Sequence, residues 1–557
     1  MRFVPVRAAI LGALFAAIIT LPGLGNGTLW DNSETVYGEV AREVLLTHDW
    51  VVMHANGAAW FVQPPLYFWI GALCAKLFGA TAFAMRLPAA LATIAMGGAL
   101  GYATARVAGT RAGTVAAIVL STSLMQAIVG RLAIMDALLD LCVVIAILCW
   151  FRALQAHDHP DDARRRSIAF LSGTLAVACG MLTKGPVAPA IVILVIGVWL
   201  VWERRSGEPV APPSPATLAA ACALFIVVAA PWFVLEAVRV GPGAIAELIG
   251  HYTVGRFTGV IENQRGPWWY YVPVLILGFF PWIAFVPVAA VNAIGVARTR
   301  AGSLERLALT WTIVPLVFFS LAQTKLPNYV ALMLPALAIV VALWFERVSD
   351  AVDRHWAIGS ALSIPLFVGG LGVAITIFIH TNHLENATAV IGPQTEILGV
   401  AMLLGSLATV VAIATRRWNW LAPYVLGATS GALVLFIAFV AEPAAEALKP
   451  IPPLAQTIQA QRAPGAVVGI RGAAGTSALI FYTAPGVVTL EEDNSDFRAS
   501  ICSIRDLYLV TRAADVPSLT QLAVAQGRRS TEIQRQGSVA LLHIDGPGCA
   551  EGSRRST

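Results

Sequence analysis

Thirteen apolar runs constrain this chain more than any other feature. They fall near residues 8–24, 84–105, 112–129, 137–153, 168–182, 187–202, 217–236, 269–292, 307–322, 328–345, 357–379, 396–415 and 421–440. Runs of this kind suit α-helices crossing about 30 Å of hydrocarbon at about 1.5 Å per residue, although several are a little short. Lipid offers backbone N–H and C=O groups no partners, so a crossing segment must satisfy them internally. Composition closes the soluble alternative, because 57% of the 557 residues are hydrophobic and only 12% are charged. That is about half the usual charged share, too little to coat so apolar a soluble fold. A cytosolic globular enzyme, a disordered chain and a disulfide scaffold are thereby excluded. The formal net charge of +5 comes without a basic block interleaved with aromatics, so nucleic acid is not an expected partner.

Charge sets the threading. Arg2 and Arg7 precede the first run as in a signal peptide, but no A-x-A-like site follows, so the run reads as a retained helix. The strongly basic loops hold Arg106 and Arg111, Arg164-Arg165-Arg166, Arg204-Arg205, Arg298 with Arg300 and Arg306, Arg347 with Arg354, and Arg416-Arg417. Cytoplasmic loops collect Arg and Lys. All of these alternate to one side only if the short run 65–78, which opens on Pro64-Pro65 and contains Lys76, does not cross. It is therefore expected to be an interfacial or re-entrant helix. The expectation is an all-α polytopic membrane protein, with about 13 transmembrane helices in a membrane domain over residues 1–440. The amino end is cytoplasmic, and a long first loop, 25–83, lies outside. In that loop Ser33–Leu46 reads as an amphipathic helix lying on the membrane surface: Val36, Val40 and Val44 share a face while Glu39, Arg42 and Glu43 point elsewhere. Ser33 or Asn32 can cap it.

Residues 441–557 change character. Short strands are predicted at Val467–Ile470, Ala478–Tyr482, Val487–Leu490, Leu507–Val510 and Val539–His543, with a helix over 515–526. They describe a C-terminal periplasmic α/β domain. Cys502 and Cys549 lie here and are a candidate pair in an oxidising compartment, whereas Cys74, Cys142, Cys149, Cys179 and Cys222 lie in apolar stretches.

The unusual polar residues of the membrane domain fall at outer helix ends. Asp31 and Glu34 are in the first loop, Asp136 ends Arg131-Leu132-Ala133-Ile134-Met135-Asp136, and Lys184 sits in Thr183-Lys184-Gly185-Pro186. Arg256 and Arg265 precede Trp268-Trp269-Tyr270-Tyr271, and Lys325-Leu326-Pro327-Asn328-Tyr329 follows. A charge at the membrane boundary is costly unless paired or used. Bland readings stand beside each: Asp136 suits a helix start, the lysines can snorkel to lipid phosphates, and Trp268 to Tyr271 and Tyr329 can anchor the interface. Acids and cations gathered at one end of a bundle point instead to a site for an anionic head group.

The stretch Leu29-Trp30-Asp31-Asn32-Ser33-Glu34-Thr35-Val36-Tyr37-Gly38-Glu39-Val40-Ala41-Arg42-Glu43 resembles the first-loop motif of bacterial polyprenyl-phosphate-sugar glycosyltransferases of the GT-C superfamily. These include the lipid A aminoarabinose transferases and the protein O-mannosyltransferase-like enzymes. Phe61-Val62-Gln63-Pro64-Pro65-Leu66, Met135-Asp136, Thr183-Lys184-Gly185, Arg256-Phe257, Pro267-Trp268-Trp269-Tyr270-Tyr271-Val272-Pro273 and Lys325-Leu326-Pro327-Asn328-Tyr329 are similar, in order. The chain departs from the family at Ser33, where an aspartate credited with catalysis is usual, and at Val36 and Gln63, where phosphate-binding cations are usual.

The resemblance implies a membrane enzyme that moves a hexosyl or pentosyl group from a polyprenyl-phosphate donor to lipid A, a glycan or a protein at the periplasmic face of a bacterial inner membrane. Such transfer needs a carboxylate to take the acceptor's proton and positive charge to hold the departing phosphate. Asp31, Glu34 and Asp136 are the candidates for the first, with Asp31 the stand-in for Ser33. Lys184, Arg256, Lys325 and Tyr329 are assigned to the donor phosphate, and His54, Gln63 and Arg265 to further substrate contacts. A divalent metal bridging carboxylate and phosphate would use Glu34 and Asp136. A monomer is expected. Two other readings stay open: a transporter or flippase of a lipid-linked sugar, which needs polar groups along the helices where only Asp140 is found, and a scaffold whose tail binds partners.

Overall fold

The computed structural model describes residues 3–155, 162–261, 263–347, 355–368, 392–415, 419–446, 448–483 and 485–547. Two compact units emerge. One comprises Met1–Leu24, Phe61–Ile70 and Arg86–Ala441; the other comprises Gly25–Trp60, Gly71–Met85 and Glu442–Thr557.

In chain order the helices are α1 (Phe3–Thr20), α2 (Glu34–Thr47), α3 (Leu66–Phe78), α4 (Ala82–Thr122), α5 (Leu124–Val129), α6 (Asp136–Leu154), α7 (Asp162–Lys184), α8 (Val187–Arg205) and α9 (Pro215–Val240). There follow α10 (Pro242–Ala246), α11 (Arg256–Thr258), α12 (Tyr271–Gly278), α13 (Val286–Ala297), α14 (Ser303–Leu321) and α15 (Leu334–Arg347). Among the described residues nine helices are long and apolar enough to cross a membrane, or up to ten when Tyr271–Gly278 and Trp282–Ala297, bent by 110°, are taken as one span. Later spans lie at Glu396–Ala414 and Asn419–Glu446. At 13 residues α3 reaches only about 20 Å, short of a hydrocarbon core, as its sequence suggested. The end of the run 357–379, most of the loop 380–395, Arg354, Arg416, Arg417 and Cys549 lie outside the described residues.

The first unit packs through small residues and buried rings. Inside α4, Gly109 adopts φ 90° and ψ 167°, so the 41-residue element is two helices across a break. The two halves then meet at glycine: a Cβ on Gly113 would sit 2.3 Å from the Gly101 carbonyl oxygen. Such close backbone approach is how helices associate where lipid removes the hydrophobic drive. Trp199, Trp282, Trp311 and Trp344 are fully buried. The Trp282 indole donates to Thr122 Oγ1 (3.0 Å) and that of Trp311 to the Leu332 carbonyl (2.9 Å). The charge pattern predicts a solvated basic loop around Arg306. The side chain is buried instead, with Nε 2.7 Å from Glu203 Oε2 and Nη1 on the carbonyls of Ala297 and Thr299.

In the second unit β1 (His54–Ala55) and β2 (Ala58–Ala59) form a small hairpin. A five-stranded sheet has the order β4 (Val488–Thr489), β3 (Val467–Arg471), β5 (Asp506–Arg512), β7 (Val539–Asp545), β6 (Arg529–Gln536). β3 runs parallel to β4 and β5, and β7 is antiparallel to β5 and β6. The strand expected at Ala478–Tyr482 is a helix, Thr476–Thr483. A five-residue apolar run does not distinguish the two by periodicity, and a parallel β3–β4 pair requires a crossover. Helices Ile451–Gln461, Asn494–Ser503 and Val516–Ala525 complete the α/β layer, and Cys502 is disulfide-bonded.

The α2 helix does not present its acids outward. Glu34, Glu39, Val40, Glu43 and Val44 are all buried, with partners inside the second unit. Arg42 lies 2.6 Å from Glu39 Oε2 and donates to the Phe481 carbonyl (2.8 Å), with its guanidinium over the Phe481 ring. Glu43 accepts the Gly57 amide at 3.0 Å. The expected surface helix is thus a core element, because each acid meets a cation or an N–H. Burial pushes the Glu39 carboxyl up to about 8, opposed by Arg42 and reinforced by a hydrogen bond with Glu43. Ser33 makes no side-chain cap bond; Asp31 Oδ1 reaches Thr35 Oγ1 at 3.4 Å.

Candidate active site

The first unit builds an acid–base pair from two consecutive helices. Asp136 opens α6 and Lys184 closes α7. An antiparallel hairpin of two spans brings those ends level, so residues 48 apart meet with Lys184 Nζ 2.6 Å from Asp136 Oδ1. Their side chains are 14% and 9% exposed, so the pair is mostly out of water. One turn into α6, Asp140 is 2% exposed, and its Oδ2 has no hydrogen-bond partner among the described residues.

Aromatic rings join this pair to a second cation. Lys184 Nζ lies 5.4 Å from the Tyr329 ring centroid. Tyr329 packs on Phe319 (centroids 4.5 Å), Phe319 faces Tyr271 (6.4 Å), and Lys325 Nζ sits 5.5 Å from the Tyr271 centroid. Tyr271 is therefore fully buried rather than an interface anchor, while Trp268 and Trp269 beside it are exposed. Lys325 is 5% exposed and donates to the carbonyls of Phe319 (2.9 Å) and Ser320 (2.6 Å), which end α14. In this position it caps a helix C-terminus. Burial holds its ammonium below the usual lysine range.

Backbone bonds zip the loop carrying Arg256 and Arg265 to the segment before Lys325. Gln323 N donates to Phe257 O (3.0 Å), Thr324 N to Arg256 O (3.0 Å) and Lys325 N to Gln264 O (2.8 Å), and Arg265 bridges Thr324. Arg256 is half-buried and Arg265 exposed. Gln63 is half-buried just ahead of α3. Of the residues singled out from sequence, Asp136, Lys184 and Tyr329 are thus in direct contact, with Lys325, Arg256 and Arg265 on the adjoining strip.

Asp31, Glu34 and His54 belong to the second unit. Asp31 Oδ1 accepts the Ala478 amide at 2.8 Å, near the start of helix Thr476–Thr483. Glu34 is fully buried and its Oε2 accepts the Trp30 amide at 3.0 Å. Around them is a clamp that sequence reasoning missed. Thr28 bonds Glu446 through both N (2.9 Å) and Oγ1 (2.5 Å), Lys449 Nζ sits 4.1 Å from the Trp30 ring centroid, and the Tyr482 hydroxyl accepts the Leu29 amide at 2.7 Å. Burial pushes Tyr482 up to about 12. No local signal announces partners more than 400 positions away in sequence. His54, in β1, is half-buried. Among the described residues no group of three or more His, Cys, Asp or Glu side chains is placed to hold a metal ion.

Comparison with known proteins gives this arrangement a context. Residues 62–234, which contain Gln63, Asp136, Asp140 and Lys184, match the family model described as dolichyl-phosphate-mannose-protein mannosyltransferase. The undecaprenyl phosphate-alpha-4-amino-4-deoxy-L-arabinose arabinosyl transferase of Edwardsiella ictaluri is 29% identical over 427 residues, covering 75% of this chain and 74% of that protein. The enzyme of the same name from Erwinia tasmaniensis is 32% identical over 338 residues, covering 60% and 59%. The crystal structure of ArnT from Cupriavidus metallidurans bound to undecaprenyl phosphate superposes with a TM-score of 0.78 at 21% identity, covering 96% of this chain and 97% of that one. That likeness shows a shared fold.

Proposed function

We propose that the chain belongs with the polyprenyl-phosphate-sugar glycosyltransferases of the GT-C superfamily and that it transfers a sugar from a polyprenyl-phosphate donor to an envelope acceptor. The observation that carries the reading is the buried Asp136–Lys184 pair over Tyr329, an acid and a cation at the meeting ends of two helices. The relatives named for aminoarabinose transfer favour undecaprenyl phosphate as the lipid carrier and a pentosyl group as cargo; the acceptor is lipid A, a glycan or a protein. We place about 13 helices across a bacterial inner membrane. Amino end, Arg164 to Arg166 and Arg204 are cytoplasmic; Asp136, Lys184, Lys325 and the α/β domain are periplasmic.

In the reaction a bond forms between the acceptor hydroxyl oxygen and the anomeric carbon as the anomeric carbon–phosphate oxygen bond breaks. A carboxylate takes the hydroxyl proton, a contribution of about 10²- to 10⁴-fold. The candidates are Asp136 in the first unit and, in the second, Glu34 and Asp31, the last standing in for the position held by Ser33. Lys184 and Arg256 meet the phosphate, where charge accumulates as it departs. Lys325 reaches it by leaving the carbonyls of Phe319 and Ser320, Tyr329 floors Lys184, and Gln63 and Arg265 in the first unit and His54 in the second are assigned to further substrate contacts. A divalent metal, if used, would draw on Asp136 in the first unit or Glu34 in the second and supply Lewis-acid stabilisation of the phosphate. Purified protein given a polyprenyl-phosphate sugar tests the proposal: released polyprenyl phosphate with sugar on an acceptor is expected, and an intact donor would overturn it.

A further inference from the structure

The first unit contains a cavity of about 390 Å³ at the other ends of the two helices that carry Asp136 and Lys184. It lies between the end of α6, the first turns of α7 and the start of α9, and the segment leading into α9 forms one wall. Backbone bonds hold that wall in place: Ala211 N donates to the Leu154 carbonyl (2.9 Å), and Gln155 bridges Val210. Arg166 ties wall to helix, with Nε on the Ala153 carbonyl (2.9 Å) and Nη2 on those of Ala211 (2.8 Å) and Pro212 (3.4 Å). Its Nη1 makes no bond among the described residues. Arg164, also in the lining, is exposed and bonds no other described residue. Three hydroxyls complete the polar side. Ser167 and Ser214 each lie 2.9 Å from Thr217 Oγ1, and Thr217 is 8% exposed. Three O–H groups share two mutual bonds, so one O–H remains for an outside acceptor. Phe170, stacked on Trp150 at 5.2 Å, supplies an apolar patch. Among the described residues no carboxylate lines the cavity.

Donors held together without an acid call for an oxyanion. Guanidinium N–H groups match the oxygens of a phosphate, and backbone bonds fix Arg166 before any ligand arrives, which lowers the entropy cost of binding. We propose that this cavity is a phosphate-group site at the cytoplasmic surface, filled by the headgroup of an anionic phospholipid. Free phosphate offers the same oxygens, but the rim favours a lipid. Ile168 and Leu218, next in sequence to Ser167 and Thr217, are 54% and 50% exposed, so apolar surface for acyl chains begins beside the cavity's hydroxyls. Basic pockets between spanning helices on the cytoplasmic side suit anionic headgroups. The site is separate from that of the donor phosphate, because Ala153 lies 17 residues along α6 from Asp136, about 26 Å at 1.5 Å per residue. A headgroup seated here would pin α6, α7 and α9 together at their cytoplasmic ends. The inference rests on the charge-based threading for its side of the membrane and not on the transferase reading.

The test uses full-length protein in uncharged detergent, titrated with dihexanoylphosphatidylglycerol, dihexanoylphosphatidylcholine or sodium phosphate while thermal unfolding is followed. A ligand of the folded state raises Tm as its concentration rises. Phosphatidylglycerol should raise Tm saturably and phosphatidylcholine should not. Arg164→Gln should weaken half-saturation by roughly ten- to a hundredfold, as for one lost charge-assisted contact. Without ligand it should melt as wild type does, since Arg164 bonds no other described residue. Arg204→Gln removes an exposed cation outside the cavity and should leave the titration unchanged. Equal responses to the two lipids, or an unchanged half-saturation in Arg164→Gln, would overturn the proposal. Equal losses in Arg164→Gln and Arg204→Gln would also overturn it, by assigning the effect to diffuse surface charge. Saturation by sodium phosphate at the concentrations that suffice for phosphatidylglycerol would overturn the lipid as the source and leave a site for free phosphate. No sugar donor enters the assay, so its outcome and that of the turnover assay are independent.

Discussion

Replacing Lys184 with methionine separates two costs that the structure makes distinct. The side chain keeps most of its length, but Tyr329 loses the ammonium over its ring and Asp136, with a side chain 9% exposed, loses the ammonium at 2.6 Å. Stranding a buried carboxylate costs about 3–5 kcal/mol, less if the acid takes up a proton. Removing both partners in Lys184→Met/Asp136→Asn should cost far less stability than the lysine change alone, because no orphaned charge remains. Turnover should follow the opposite rule. The single change removes a charge-assisted contact to phosphate of about 1.5–3 kcal/mol, or roughly 10- to 150-fold in donor kcat/KM, and the double change does not recover it. Thermal unfolding in detergent and donor turnover should be measured on wild type, both single variants and the double variant. If Lys184→Met retains full turnover, the lysine merely snorkels and the phosphate site has been misplaced. If the double variant is no more stable than Lys184→Met, the pair is not buried as described.

Asp31→Asn, Glu34→Gln and Asp136→Asn should be assayed with a lipid-phosphate sugar; at least one should lose about a hundredfold to ten-thousandfold, and near-full activity in all three would place the base elsewhere. Asp31→Asn should also lower thermal stability, because Asp31 holds the Ala478 amide. Glu39 rises from 4.5 to about 8 on folding, so the native state holds an extra proton between those values. Its contribution is fully present below pH 4.5 and is lost as pH rises through 8; Glu39→Gln should therefore raise Tm at pH 8.5 relative to wild type and change it little at pH 5. Membrane-impermeant labelling of single cysteines placed in 441–557 and beside Lys184 should succeed from the periplasm in intact cells; labelling only after the inner membrane is breached would reverse the topology.

The spans were legible because lipid leaves one solution for a long apolar run, and even the break at Gly109 was visible as two runs, 84–105 and 112–129. The α/β domain was legible where strands are buried on both faces, as at Val467 and Leu507, and not at Arg529–Gln536, a polar edge strand without apolar alternation. Helix α2 misled because Glu39 and Glu43 look like a solvent face until Arg42 and the Gly57 amide are placed against them. Asp136 and Lys184 were each marked by lying at a helix end. That they touch depends on the α6–α7 hairpin, which no local pattern encodes. Asp140 gave only a spacing of four from Asp136; its burial is a property of the packed bundle.

The central claim is that the chain breaks the bond between a sugar and a polyprenyl phosphate and passes the sugar on. Proteoliposomes containing the purified protein, a polyprenyl-phosphate sugar and lipid A, followed by mass spectrometry of both lipids, measure this directly. The account predicts one polyprenyl phosphate released for each sugar gained by the acceptor, with both signals falling together in Asp136→Asn and Lys184→Met. A donor recovered intact, whether unmoved or carried to the other leaflet, would contradict it.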